Sequence, residues 1–221
     1  MGAPEQYFRR PDRLLNKSDL IIDNKKNLSI NGVLYSVNNQ RVSGILTFIG
    51  VFIFSMALLI GEALRPSYSI NQDSISSLGI GQNGEIFYYS ILLMGALVAV
   101  SGVILLSGKH REAWHGTLIL VGIGAIGVGI FPYLLNYPLH SYFAFIAFIF
   151  SGITAVLFVT HKGTPLRIFS PIIGILILVS IYLYVSDHLF GLGPGGMERM
   201  IVYPTLFWAL SLSGYLMSSK E

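Results

Sequence analysis

Acids, bases and hydroxyl groups gather in the short polar segments between the hydrophobic stretches of this 221-residue sequence. His140 is a candidate general acid or base, Asp73 or Glu198 could be its carboxylate partner, and Arg199 could bind an anionic group. We predict that these groups converge at one end of the molecule, with Asp73 close enough to pair with Arg199. The predicted cluster comprises Asp73, Ser74, Ser76, His140, Glu198, Arg199 and Tyr203.

Two histidines suggest a different chemistry. His115 opens the third hydrophobic stretch and His161 closes the fourth. Because consecutive spans run antiparallel, both imidazoles should lie near one membrane surface, where such a pair could ligate a haem iron. Histidines at a membrane surface also hydrogen-bond head groups or carbonyl groups, so haem is kept as an alternative. We expect no metal site and no cofactor.

Several motifs that often indicate catalysis or nucleotide binding are either absent or lie in the wrong sequence context. Residues 122–129 contain G-x-G-x-x-G, but the pattern lies inside one apolar stretch, without the preceding strand that a dinucleotide site needs. No serine has the G-x-S-G context of a rhomboid-type protease, and neither G-x-S-x-G nor H-E-x-x-H occurs. The lack of cysteine excludes disulfides, thiolate metal sites and cysteine nucleophiles.

Composition predicts that a membrane surrounds most of the chain. It is 53% hydrophobic and 11% charged, whereas a soluble domain carries about 25% charged residues, and its mean hydropathy is +0.66. Six apolar stretches reach the length of about 20 residues that a helix needs to cross a bilayer. They lie at 42–64, 85–107, 114–135, 138–160, 167–186 and 198–218. We therefore predict an all-α, polytopic membrane protein, a bundle of six transmembrane helices.

The third stretch should pack closely against a neighbour. Gly122, Ala125 and Gly129 fall on one face of a helix, and small residues let membrane helices approach each other closely. The connection after the first stretch is long for a turn. Asp73 or Ser74 is expected to cap a short helical turn within it.

Lysine and arginine predict which way the helices point. Twelve of the 14 fall on the side of a polar arm at 1–41, the second and fourth connections and the C-terminus, leaving Arg65 and Arg199 opposite. By the positive-inside rule, both termini should be cytoplasmic in the cell membrane. The net charge of +3 follows from this asymmetry, so we predict no nucleic-acid binding. Membrane lipids are the expected partners, with other subunits of a membrane complex as an alternative.

A set of short segments carries a family resemblance. They are 73–79, 127–132, His140 and 196–204 with Trp208. Together they resemble the family catalogued as domain of unknown function 998, which comprises archaeal and bacterial integral membrane proteins, over about residues 42–218. The resemblance implies six helices and no particular activity. Family members often carry Asn before the Ile-Ser-x-Leu-Gly motif and Asp within it, where this chain has Asp73-Ser74 and Ser77. The motif is more distantly similar to the Frag/DRAM/Sfk group, some of whose members are linked to lipid handling.

Three functional interpretations follow. The first is a non-catalytic integral membrane protein, a subunit or lipid-interacting component whose extracytoplasmic polar cluster fixes its loops. The second is an outer-face enzyme or transporter that acts on lipid or a small polar solute through His140, Asp73, Glu198 and Arg199. The third is a haem-bearing subunit that uses His115 and His161.

Overall fold

Each long hydrophobic stretch forms one α-helix. The computed structural model describes residues 38–219; the predicted arm lies outside the described residues as far as residue 37, and so does Lys220. The helices are α1 (Asn39–Ala63), α2 (Gly84–Ser107), α3 (Ala113–Ile130), α4 (Tyr137–Leu157), α5 (Leu166–Val185) and α6 (Gly193–Ser218). Two short 3-10 helices, η1 (Ile75–Gly79) and η2 (Phe158–Thr160), complete the described elements. All six α-helices are long and apolar enough to cross a membrane, which confirms the predicted fold class.

Local sequence sets several helix ends. The side chain of Asn38 accepts a hydrogen bond from the Arg41 N–H at 3.0 Å, and that of Asn136 accepts one from the Leu139 N–H at 3.3 Å. These bonds satisfy N–H groups that have no partner within the first turns of α1 and α4. Pro138 lies in the first turn of α4, where its missing N–H costs nothing.

The third helix is shorter than predicted. It ends at Ile130 rather than at 135. Phe131, the next residue, is extended (φ −106°, ψ 92°), because the ring of the following Pro132 disfavours helical geometry in the residue before it. The chain therefore leaves the helix here and turns toward α4.

The sixth helix begins earlier than predicted, at Gly193 rather than at 198. Pro194 has a fixed φ that suits a first helical turn. The N–H groups of Gly195 and Gly196 donate to the backbone carbonyl of Asn71 at 2.9 and 3.3 Å. A loop distant in sequence thus satisfies N–H groups that a helix leaves free in its first turn.

The six helices pack in chain order into a closed ring. Each packs mainly on the helix before it and the helix after it, and α1 packs on α6. The connections after α1, α3 and α5 lie at one end, which we name the loop end. The connections after α2 and α4 lie at the other, the terminal end, where the Asn38 side chain donates to the Ser219 carbonyl at 3.3 Å.

Gly122, Ala125 and Gly129, the three small residues predicted to share a face of α3, lie against α2. A Cβ atom built on Gly122 would lie 2.6 Å from the carbonyl oxygen of Gly95, and one on Gly129 would lie 2.8 Å from Cβ of Leu92. The Cβ of Ala125 would be 2.9 Å from a Cβ built on Gly95. These separations are shorter than van der Waals contact, so larger side chains would push the two helices apart.

Candidate functional site

The connection at 65–83 folds back over the loop end of the ring. Ile75 and Leu78 are 2% and 4% exposed and pack into a cluster of buried hydrophobic side chains. Ser74 caps η1 with its hydroxyl group, which also lies 3.2 Å from that of Ser76. Apolar anchors and a capped turn together hold the segment against the helices.

Arg199 ties this segment to two helices. It is only 6% exposed, and its Nη2 donates to Oε1 of Glu62 at 2.7 Å and to the Tyr68 hydroxyl group at 2.8 Å. Its Nη1 donates to the backbone carbonyls of Ile70 and Asp73 at 2.9 and 3.2 Å. The carboxylate that pairs with Arg199 is thus Glu62 in place of the predicted Asp73, which contributes its backbone carbonyl instead.

The side chains of Tyr68 and Asp73 serve the loop itself. Burial raises the pKa of Tyr68, so its hydroxyl group stays protonated and donates to the Ser74 carbonyl at 2.9 Å while it accepts from Arg199. The Asp73 carboxylate accepts the N–H of Ser69 at 2.7 Å. Both groups therefore stabilise the local chain path.

Glu198 has a different environment from Arg199, its neighbour in sequence. It is 7% exposed, and its Oε2 accepts the N–H of Ile75 at 2.6 Å. Between residues 38 and 219, no cationic side chain lies within ion-pair distance of it. Glu198 is therefore a buried carboxyl group whose described hydrogen-bond partner is a backbone amide.

Near this end of the molecule, His140 is buried and Tyr203 is partly buried. Nδ1 of His140 lies 2.9 Å from the Phe131 carbonyl, and the ring meets the edge of Tyr133 at a centroid distance of 5.4 Å. Because a carbonyl only accepts, Nδ1 carries the proton, and Nε2 is an acceptor when the ring is neutral. Tyr203 is half-buried and stacks on Phe207 at 6.1 Å.

A cavity of about 510 Å³, the central cavity, extends into the ring and is bounded in part by residues 72–77 of the connection. All six helices contribute apolar side chains to its lining, for example Phe54, Phe87, Val128, Phe148, Ile181 and Leu206. Of the predicted site residues, the lining includes Asp73, Ser74, Ser76, His140 and Glu198. Arg199 and Tyr203 lie outside it. The fold thus brings five of the seven predicted residues to one cavity.

A family model described as Protein of unknown function (DUF998) matches residues 48–214. The chain belongs to this family. Together with the six apolar helices, membership identifies a multi-pass integral membrane protein. Comparison with curated proteins and with solved structures gave no match, and the more distant similarity to the Frag/DRAM/Sfk group stays a prediction.

Three tyrosines of this DUF998 family member also line the central cavity, and sequence reasoning missed them. They are Tyr133, Tyr137 and Tyr184. Each lies at or just beyond the end of a hydrophobic stretch, where tyrosine is common simply because its ring favours the membrane surface. Their sequence positions therefore gave no sign of a site, and only the ring arrangement of the helices brings them together.

The two predicted haem ligands lie at the terminal end of the DUF998 fold, near a second cavity of about 710 Å³. Nδ1 of His161 lies 2.5 Å from Oε1 of Glu112, and its Nε2 lies 2.8 Å from the Tyr215 hydroxyl group. Nδ1 of His115 accepts the N–H of Glu112 at 3.3 Å. An iron ligated by both histidines needs a free nitrogen on each. In this arrangement His161 offers none.

We name this second cavity the terminal-end cleft. Exposed cationic side chains surround it, namely Lys109, Arg111 and Lys162, and His110 lies beside them. Glu112 is its acidic residue, and the hydrogen bond from His161 occupies that carboxylate. The cleft is therefore basic at its rim.

Proposed function

We propose that the protein is a non-catalytic, lipid-interacting component of the cell membrane that binds an amphipathic molecule in the central cavity. One observation carries the proposal: a single cavity of about 510 Å³ is lined by residues from all six helices. Small-molecule sites usually enclose about 300–1,000 Å³, with mainly apolar walls and a few polar groups. The central cavity matches that description in size and chemistry.

The position of the polar groups gives the ligand a direction. Asp73, His140 and Glu198 line the cavity near the loop end, whereas Val121 and Leu206 line it from the middle of their helices. A polar head group would therefore lie at the loop end and a hydrocarbon chain would extend toward the middle of the bundle. Such an arrangement suits a lipid better than a fully polar solute.

We further propose that the loop end faces outward and the termini face the cytoplasm. The described chain has Arg41, Lys109, Arg111, Lys162 and Arg167 at the terminal end. Arg65 and Arg199 are its two counterparts at the loop end. This asymmetry supports the orientation by the positive-inside rule.

Single-cysteine labelling tests the orientation cleanly because the sequence contains no cysteine. His188→Cys places a thiol in the exposed connection after α5, and Lys162→Cys places one at the opposite end. A membrane-impermeant maleimide should label His188→Cys in intact cells and Lys162→Cys only after lysis. The reverse pattern would invert the proposed orientation.

Co-purification tests the function. The full chain is extracted from its native membrane into polymer-bounded discs, and lipids and partner proteins are identified together. Val121→Phe adds bulk to the partly buried lining of the central cavity, whereas Val179, 47% exposed and outside the lining, gives the matched control Val179→Phe.

We expect a retained amphipathic molecule in the wild type and in the Val179→Phe variant, and its loss from the Val121→Phe variant. Ala144→Leu, a milder change in the same lining, guards against an effect of misfolding. Size-exclusion profiles check that each variant is intact. An identical lipid complement in the wild type and both cavity variants would refute the proposal.

One observation favours an enzyme or transporter as the second candidate: His140 and Glu198 line the same cavity. A histidine and a carboxyl group could act together as acid and base. Arg199, however, is hydrogen-bonded to the loop and to Glu62, so anion binding would have to come from elsewhere. Incubation of the co-purified molecule with wild-type protein and with His140→Asn separates the cases: a change in mass that depends on His140 would indicate catalysis.

A further inference from the structure

We infer that the amphipathic ligand of the central cavity is cationic, with an ammonium head group between Glu198 and the three tyrosines and an apolar tail inside the ring. This inference rests on the proposed function, because it specifies the ligand of the same cavity. It goes beyond that function by assigning a charge, a head-group chemistry and the residues that select it.

The charge of the lining is the first argument. Two acidic residues, Asp73 and Glu198, line the cavity, and its described lining includes no lysine or arginine. The two arginines of the loop end are used elsewhere: Arg199 pairs with Glu62, and Arg65 donates to backbone carbonyls of the connection. An anionic head group would therefore meet like charge without a compensating cation.

The environment of Glu198 is the second argument. This side chain is only 7% exposed, and its Oε2 accepts the Ile75 N–H. Burying a carboxylate is costly unless a cation or several hydrogen bonds compensate. In the described chain no cation lies within ion-pair distance of it. An ammonium group in the cavity would supply the missing charge.

Aromatic rings in the same cavity lining are the third argument. Tyr133 and Tyr137 meet edge to face at a centroid distance of 5.0 Å, and Tyr184 lines the same cavity. The faces of aromatic rings attract ammonium groups, and clustered aromatic residues are a common recognition site for quaternary ammonium. These rings also tolerate methyl groups on nitrogen, which a purely hydrogen-bonding site would not.

The remaining lining suits the tail. Phe54, Phe87, Phe148, Ile91 and Leu206 come from four helices and form an apolar wall continuous with the polar end. Burial of a hydrocarbon chain against this wall is favourable, because its apolar surface is removed from water and packs against apolar side chains. The cavity therefore combines an ammonium site with an apolar site in one molecule-sized volume.

Binding of three probes with the same dodecyl chain tests the inference: dodecyltrimethylammonium, dodecanol and dodecyl sulfate. Each is radiolabelled and measured on the full-length protein in lipid nanodiscs, with empty nanodiscs as background. The decisive variant is Glu198→Gln, which removes the charge but keeps an oxygen for the Ile75 N–H. The matched control is Glu85→Gln, an exposed residue outside the cavity lining.

We expect the cationic probe to bind about tenfold more tightly than the neutral one, as close charge pairing with an aromatic contact allows. That preference should persist in Glu85→Gln and vanish in Glu198→Gln, whereas the neutral probe should bind both variants equally. Equal binding of all three probes to the wild type, or preference for the sulfate, would overturn the inference and leave the proposed function standing. If no probe binds more to the protein-containing nanodiscs than to empty ones, the inference and the proposed function are both refuted. The wild-type comparison decides the matter even if Glu198→Gln fails to fold.

Discussion

Among residues 38–219, each end of the bundle holds one close acid–base pair, and the two pairs differ in their surroundings. At the loop end, Arg199 and Glu62 lie 2.7 Å apart with side chains 6% and 14% exposed. At the terminal end, His161 and Glu112 lie 2.5 Å apart with side chains 12% and 23% exposed. Arg199 also donates to three backbone carbonyls, whereas His161 adds one hydrogen bond to Tyr215.

The difference shows two uses of scarce charge. At the loop end, Arg65 and Arg199 both donate to backbone carbonyls of the connection that covers the central cavity, so both stabilise the fold of that connection. At the terminal end, Lys109, Arg111 and Lys162 are exposed, and none forms an ion pair with a residue described in 38–219. Those cations remain available to lipid head groups and, in the proposed orientation, set the direction of insertion.

The largest predicted effect is loss of the loop-end pair. Arg199→Met should lower the free energy of unfolding by about 3–5 kcal/mol, because removing one member of a buried pair leaves the other charge uncompensated. Glu62 would lose its cation and the loop carbonyls would lose their donor. Thermal unfolding followed by tryptophan fluorescence in detergent measures the change.

Two control variants sharpen this prediction. Arg167→Met removes an exposed arginine at the terminal end and should change the unfolding midpoint little. Arg199→Lys should restore only part of the lost stability, because a lysine ammonium group cannot donate to Glu62 and to the loop carbonyls in the fixed planar geometry of a guanidinium group. If Arg199→Met and Arg167→Met proved equally stable, the structural role of the loop-end pair would be refuted.

The next effect concerns the contact between α6 and the connection. A Cβ atom on Gly195 would lie 2.6 Å from the Ile70 carbonyl oxygen, whereas one on Gly214, on the same helix, would meet nothing within 4 Å. Gly195→Ala should therefore cost about 1–3 kcal/mol through overpacking. Gly214→Ala should be neutral or slightly stabilising, because alanine favours the helix.

Hydrogen exchange at residues 195–196 and in η1 gives this prediction a local readout. Gly195→Ala should speed exchange at the backbone amides of residues 195 and 196, which donate to Asn71 in the wild type, and within η1. Gly214→Ala should leave both regions unchanged. Equal protection in the two variants would mean that the connection does not depend on its close approach to α6.

The sequence predicted the helices because hydrophobic length is a local property. It predicted a capped turn for the same reason, since cap and turn are adjacent in the chain; of the two expected caps, Asp73 and Ser74, the structure shows Ser74. It did not predict the partner of Arg199, because Arg199 and Glu62 are 137 residues apart and matched depth does not distinguish one carboxyl group from another. The early start of α6 was not predicted for the same reason: the N–H groups of its first turn donate to the carbonyl of Asn71, which is distant in sequence.

The central cavity was beyond sequence reasoning for a related reason. Asp73, His140 and Glu198 could be assigned to one end, but that they share a cavity depends on the order in which the helices close the ring. Tyr133 and Tyr184 were not among the predicted residues, and the ring places them in the same cavity lining as Glu198. Pairwise helix order, unlike helix existence, is decided by side-chain packing across the whole bundle.

The smallest predicted effect is loss of the terminal-end pair. Glu112→Gln should lower the free energy of unfolding by about 1 kcal/mol or less, since a partly exposed pair is worth little and glutamine can still accept a hydrogen bond from His161. Glu85→Gln, an exposed carboxylate on α2, is the control for general loss of negative charge. Measured beside Arg199→Met, this variant tests the comparison of the two ends directly. If Glu112→Gln lowered the stability more than Arg199→Met, the fold would depend more on the terminal-end pair than on the loop-end pair. His161 contacts the rings of Trp114 and Phe158, and that result would mean that Glu112 is needed to orient the imidazole against them.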